Sequence, residues 1–507
     1  MIKIYPVQQV GEICDDYSVI INGEETELNT ARVSSVPFNR RWPGHQRQTD
    51  QTELVNFLSF AVDEPVEITV KPKYPFYTAS IRPHDFDGTV EIIPNVEIKI
   101  RMNKPQYFTV EPYGINRALH VFADEINEYG AEVNAKNVIY FGAGTHDVGI
   151  LELKSGQAVY IDEGAVVYAT VKAFHAENIK IFGRGILDNS KNKEKILYEQ
   201  NVENNSVAVN NAYRDNAVSL VCCKNIEIDG ITIRDSLLYN IDVFSCENVN
   251  INAIKIIGSW RYNTDGVHFA NCINCSLKNS FVRTFDDGIN VRGHANWEYD
   301  RWLDVIGKDY IFTCKNIKVE NCIVWNDWDK CLQLGTETYG EEVTGVVFEN
   351  CKLIHVSGGG AITAFLVDNA KIHDCAFKDI SVEYDENILP SRNQTKDEDK
   401  YVYGYSTDIN NYLVWFSVQK HFEYSFIKSE EELGYISDIT VENVNIFAKQ
   451  NPTFMFWGQN PKSCVKNITL KNIYWNGEEL SESYFLKHCE KNENVSDIKY
   501  INRKNVL

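Results

Sequence analysis

The stretch from Asn263 to Gly293 reads NTDGVHFANCINCSLKNSFVRTFDDGINVRG and carries three aspartates, Asp265, Asp286 and Asp287. Acids gathered in one patch repel, so one of them should keep its proton near neutral pH. A protonated carboxyl beside ionised ones is the arrangement that cleaves a glycosidic bond. One group protonates the leaving oxygen while the others activate water on the opposite side of the ring. For inversion, acid and base should stand ~6.5–9.5 Å apart. The plainer reading of any single Asp-Gly is a local turn whose carboxylate caps amides.

Three acids become one site only if the fold brings them together, and the surrounding elements are repeats. CCKNIEIDGITIRDS begins at Cys222, SCENVNINAIKIIGS at Ser245 and NCINCSLKNSFVRT at Asn271; TCKNIKVENCIVWN begins at Thr313 and SCVKNITLKNIYWN at Ser463. Each places an asparagine before alternating apolar positions, at Asn225, Asn248, Asn274, Asn316 and Asn467. Short Val/Ile-rich strands recurring every ~20–30 residues indicate a solenoid. Asparagine at a fixed turn position, with neither a leucine ladder nor a helix per repeat, indicates an all-β chain forming a right-handed parallel β-helix. Neighbouring coils lie ~4.8 Å apart. Asp265 and Asp286, 21 residues apart, are therefore expected side by side, with a bulge or turn at Gly288 letting Asp287 point outward as well.

Residues 1–115 lack the repeat and read as a small N-terminal β-sandwich of short alternating strands broken by Pro and Gly. The solenoid is expected over residues 131–507, with a long aromatic-rich insertion near 384–435, of the length that forms lids or binding walls.

Composition narrows the partners. A net charge of −21 argues against nucleic acid or an anionic membrane, and no window is apolar enough to span a bilayer. The N-terminal residues show no basic-then-apolar leader, and the thirteen cysteines sit mostly in strand-like runs. Both features lead us to expect a cytoplasmic protein with buried free thiols. Cys272 and Cys275 lack a second pair at ligand spacing, so neither metal nor cofactor is expected. Nothing in the sequence sets an oligomeric state.

Several neighbours of the aspartates are candidates for substrate binding. Trp325 and Trp328 could stack on a pyranose face or pack in the core, with stacking favoured for Trp328 between its two acids. Asp327, Asp329 and Lys330 could bond sugar hydroxyls, and Lys330 could instead neutralise the carboxylates. Arg292 and His294 follow the Asp-Asp turn, and Asn263 opens the NTDG segment; Trp260 and Tyr262 are candidate cleft walls.

Three motifs, GRGILD (183–188), NTDG (263–266) and FDDG (285–288), make the segment from about Ala131 to Trp475 resemble β-helical inverting glycoside hydrolases of the polygalacturonase and dextranase–isopullulanase types, families 28 and 49. The resemblance implies Asp286 as general acid and Asp265 with Asp287 as holders of the nucleophilic water. The Gly-His-Gly and Arg-Ile-Lys segments of polygalacturonases have no counterpart. The stretch VWNDWDKCLQLGTET (324–338) is closer to the dextranase side, which also carries an N-terminal β-sandwich. The implied activity is cleavage of α-glycosidic bonds in an oligosaccharide or polysaccharide, exo-acting on short imported oligosaccharides if the insertion closes one end of the cleft. Alternatives are a β-helical polysaccharide lyase using Ca²⁺, an epimerase, and a noncatalytic carbohydrate-binding solenoid.

Overall fold

The computed structural model describes residues 1–35, 52–191, 215–261, 263–295, 302–307, 310–356, 360–384, 412–420 and 425–502. From Val138 onward the chain winds into coils whose strands form a 32-stranded sheet system, almost all of it paired in parallel. It is a right-handed parallel β-helix, as the repeats indicate.

Each coil follows from its residue types. Asn178, Asn225, Asn248, Asn274, Asn316 and Asn467 all adopt left-handed backbone, φ 56–59°, which asparagine tolerates better than other side-chain-bearing residues. The chain turns there, and the amides bond from coil to coil. Asn225 Nδ2 donates to Asn178 Oδ1 at 3.3 Å, Asn248 to Asn225 at 3.1 Å and Asn316 to Asn274 at 3.0 Å. A second ladder, Asn350 to Asn321 to Asn279 to Asn252 at 2.8, 3.1 and 2.9 Å, lines the next corner. Between turns, alternate residues point inward, giving a continuous core of stacked Ile, Val and Leu. All thirteen cysteines are free, ten of them buried, which makes them small apolar fillers of that core.

Three strand columns make up each coil. One, which includes Lys255–Ile257, Phe281–Thr284 and Ile323–Asn326, faces the N-terminal module. The next, with Val267–Ala270, Ile289–Arg292 and Lys330–Leu334, is the column toward which the proposed cleft would open. The third carries the two asparagine ladders at its ends.

The N-terminal residues form two mainly antiparallel sheets sharing one core. Strands Ile2–Ile4, Asn29–Ser34, Thr52–Val62, Leu119–Glu125, Tyr107–Ile115 and Ser80–Arg82 lie in one. Glu24–Thr26, Tyr17–Ile21, Val66–Pro72, Glu97–Met102 and Gly88–Ile93 lie in the other. The first sheet also packs on the solenoid, where Val33, Phe57 and Phe122 meet Ile257, Phe281, Ile323 and Trp325. Each such side chain contributes ~1.5–3 kcal/mol by leaving water.

Within the interval 384–435, Val414–Val418 is a coil strand pairing with Gly360–Leu366 and Phe454–Trp457. That part of the expected insertion is solenoid, and residues 385–411 and 421–424 lie outside the described set.

Candidate active site

The turns joining the module-facing strands to the cleft strands hold all three aspartates. Their register differs from the expectation. Val267 pairs with Ile289, and the Gly266 and Val267 N–H groups donate to the carbonyls of Asp287 and Gly288 at 2.9 and 3.1 Å. Asp265 is therefore level with Asp287, not Asp286, because one coil here is 22 residues and not 21. The next coil places Lys330 at the same level, with Gly288 N–H donating to its carbonyl at 2.7 Å.

The glycines of NTDG and DDG make this approach possible. A Cβ on Gly266 would fall 2.2 Å from the Gly288 carbonyl oxygen, and one on Gly288 2.6 Å from that of Cys331. Any side chain would push the coils, and with them the carboxylates, apart.

Each carboxylate has its own setting. Asp286 accepts the Asn263 N–H at 3.1 Å on one oxygen and the Asp287 N–H at 2.9 Å on the other. Its own carbonyl accepts from Thr284 Oγ1 at 2.8 Å and Asn326 Nδ2 at 2.5 Å, which pins the turn from behind. Asp287 accepts from Asn290 Nδ2 at 3.1 Å and faces Lys330 Nζ at 3.5 Å. Asp265 Oδ2 lies 2.9 Å from His268 Nε2. Arg292 donates to His268 Nδ1 at 3.2 Å. That assigns the imidazole proton to Nε2, which lies beside the Asp265 carboxylate but out of line for a hydrogen bond.

All three acids are pushed well above the ordinary carboxylate range. Burial is the main cause in each, followed by repulsion from Asp287 for Asp265 and from Asp265 and Asp329 for Asp286. For Asp287, Lys330 opposes burial while Asp329 and Asp286 reinforce it. Burial disfavours the charge on Lys330, but Asp287 and Asp329 more than restore it, so it stays a cation. His268 is held neutral by burial and by Arg292. A patch of acids that favours retaining a proton can both donate to a leaving oxygen and hold a water. Ligand-type atoms of Asp265, His268 and Asp287, and of Asp286, Asp287 and Asp329, each fall within 4.8 Å of one another, so the same convergence suits a cation.

The other candidates divide sharply. Lys330 and Asp329 reach the patch, bonded to each other at 2.7 Å, and Asn263 contributes its backbone. Trp328 is partly exposed and stacks on Phe285 at 5.5 Å. Asp327 does not face the cleft: its oxygens accept from Trp325 Nε1 at 2.7 Å and Arg283 Nε at 3.4 Å, inside the contact with the N-terminal module. Trp325 is fully buried there, 3.9 Å from the His355 ring, so it is a packing residue. Trp325 points out of its strand toward the module, and Asp327 in the bend that follows is held there by its bonds. Arg292 is fully buried and acts on His268 and Glu337 rather than on solvent. His294 is equally buried, stacked on Phe244 at 4.0 Å and bonded by Asn271. Trp260 is buried and donates to Asp235 at 3.1 Å; Tyr262 lies outside the described residues.

The structure also brings in residues that the motif reading passed over. Register aligns Asp242, His268, Asn290, Gln333 and Thr363 in one buried row on the outward side of the second strand column. Superposing the repeats strand by strand, rather than scanning for acids, would have found this row.

Residues 149–388 match the family described as glycosyl hydrolases family 28. Among solved structures, the chain is similar to Dex49A from Penicillium minioluteum at 13% identity and TM-score 0.61, over 98% of this chain and 95% of that one. It is also similar to a hyperthermoactive exopolygalacturonase from Thermotoga maritima at 15% identity and TM-score 0.49, over 72% and 84%. No curated protein matches the sequence.

Proposed function

We propose that this β-helical glycoside hydrolase cleaves α-glycosidic bonds of an oligosaccharide with inversion of the anomeric centre. Asp286 gives its proton to the glycosidic oxygen as the bond to the anomeric carbon breaks. Asp265 and Asp287 hold a water between adjacent coils and take its proton as its oxygen bonds to that carbon from the opposite face. The observation that carries this reading is the level placement of Asp265 and Asp287 beside a separately held, proton-retaining Asp286.

A neutral sugar fits the site better than a uronate. Lys330 is engaged by Asp287 and Asp329, and Arg292 by His268 and Glu337, while the acids outnumber them. The reading of exo action on short oligosaccharides rests on the length of the 384–435 interval apart from its coil strand Val414–Val418.

Proton NMR of digests of short α-linked oligosaccharides, isomaltose-type and galacturonate-type, tests the whole reading. The expected result is β-anomer as first product from a neutral substrate, released one end unit at a time. Asp286→Asn should lower turnover by at least ~100-fold. An α-anomer first product, or an unsaturated product, would overturn it.

A further inference from the structure

The strands that lead into the aspartate turns begin at the asparagine corner. Lys255–Ile257, Phe281–Thr284 and Ile323–Asn326 run from the asparagine corner to the catalytic corner, with the N-terminal module lying across their middle. At the asparagine corner the module stands off from the solenoid and leaves a crevice of about 410 Å³, within the size range of small-molecule sites (~300–1,000 Å³).

Its lining is chemically specific. One wall is the ladder Asn252, Asn279, Asn321 and Asn350. Each amide gives one N–H donor to the neighbouring coil, which leaves its second N–H for a ligand, repeated at the coil pitch of ~4.8 Å. Tyr107, from the module, supplies an aromatic wall, and Asp229 adds acceptor oxygens. The Arg184 side chain, 5% exposed, also lines the crevice. Its Nε and Nη1 have no hydrogen-bond acceptor among the described residues, and the nearest carboxylate, Asp124, stands 3.8 Å away. Buried guanidinium donors without acceptors are costly and call for one.

We propose that this crevice is a second binding site, for a neutral oligosaccharide. Evenly repeated amide donors, interspersed acceptors and a single aromatic face are the groups that hydroxyl-rich rings require. Asp124, Glu125 and Asp229 outnumber Arg184 and Lys352 in the lining, and Lys352 is held by Asp85, which disfavours an anionic ligand. The site would hold a glycan at the opposite end of the strands that end in the catalytic patch, three or four residues or about 10–13 Å along each strand. This assignment rests on the lining and not on the hydrolytic reading.

The test uses the full chain carrying Asp286→Asn, titrated calorimetrically with isomaltotriose and with maltotriose. The second protein adds Asn127→Trp, a substitution at an exposed residue of the crevice rim that would fill the opening. The expected result is two equivalents bound per chain, falling to one with Asn127→Trp. A fall from one to zero also supports the crevice and instead counts against the catalytic patch as a sugar site. Arg184→Lys should weaken the crevice equivalent about 10-fold by removing the fork of donors. In an otherwise wild-type chain, Asn127→Trp should leave hydrolysis of a short substrate unchanged. Stoichiometry that Asn127→Trp leaves unaltered, including no binding by either protein, overturns the proposal.

Discussion

Asp265 and Asp287 stand level on neighbouring coils because Gly266 and Gly288 let the two backbones bond directly between them. The pair faces one point in the cleft, and Asp286 approaches from the turn before it. Two acids stand together and the third stands apart, which is the division that the proposed inverting hydrolysis needs.

The buried acids should give stability an unusual pH dependence. Burial and repulsion from Asp265 and Asp329 raise Asp286 in the folded state, so the folded chain keeps a proton that the unfolded chain releases above ~3.9. Wild type therefore loses stability as pH rises from there through the folded pKa. Asp286→Asn removes that loss. Thermal melts should show the variant equal to wild type near pH 4 and more stable at pH 8, on the order of 1–3 kcal/mol. A constant difference across that range would show that Asp286 is not raised.

Lys330 lowers both Asp286 and Asp287. Lys330→Met should raise both, moving the basic limb of the kcat/KM profile, set by protonated Asp286, and the acidic limb, set by the ionised pair, to higher pH by about 1–2 units. A uniform loss of rate with unmoved limbs would assign Lys330 to substrate contact instead.

His268 stands beside Asp265 and is itself oriented by Arg292. His268→Ala should lower kcat about 10- to 100-fold with a smaller change in KM. His268→Gln, which keeps a polar group beside Asp265, should recover part of the rate. Equal loss in both variants would leave His268 a purely structural residue.

The two tryptophans of the VWNDW segment should separate cleanly. Trp325→Ala, in the contact between module and solenoid, should cost about 3–5 kcal/mol of stability, leaving KM near wild type below the melting temperature. Trp328→Ala should barely move the melt and raise KM about 2- to 10-fold. Melting curves and kinetics on the same two proteins decide the matter.

The coil was legible because its cause is local. Asparagine at a left-handed turn, followed by alternating apolar residues, dictates strand, turn and inward face in each repeat without reference to anything distant. The two Asp-Gly segments at one-coil spacing likewise mark a patch of acids. Which acids stand level was decided only by the tertiary structure. Side-chain direction alternates every residue, so a one-residue difference in coil length changes which partner an aspartate meets. The bend at 327–329 between two strand columns likewise separates Trp325 and Asp327, held at the N-terminal module, from Trp328 on Phe285 and Lys330 beside Asp287. The burial of Arg292 and His294, and the crevice at the asparagine corner, depend on how other coils and the module pack around them, and no local pattern in the chain carries that information.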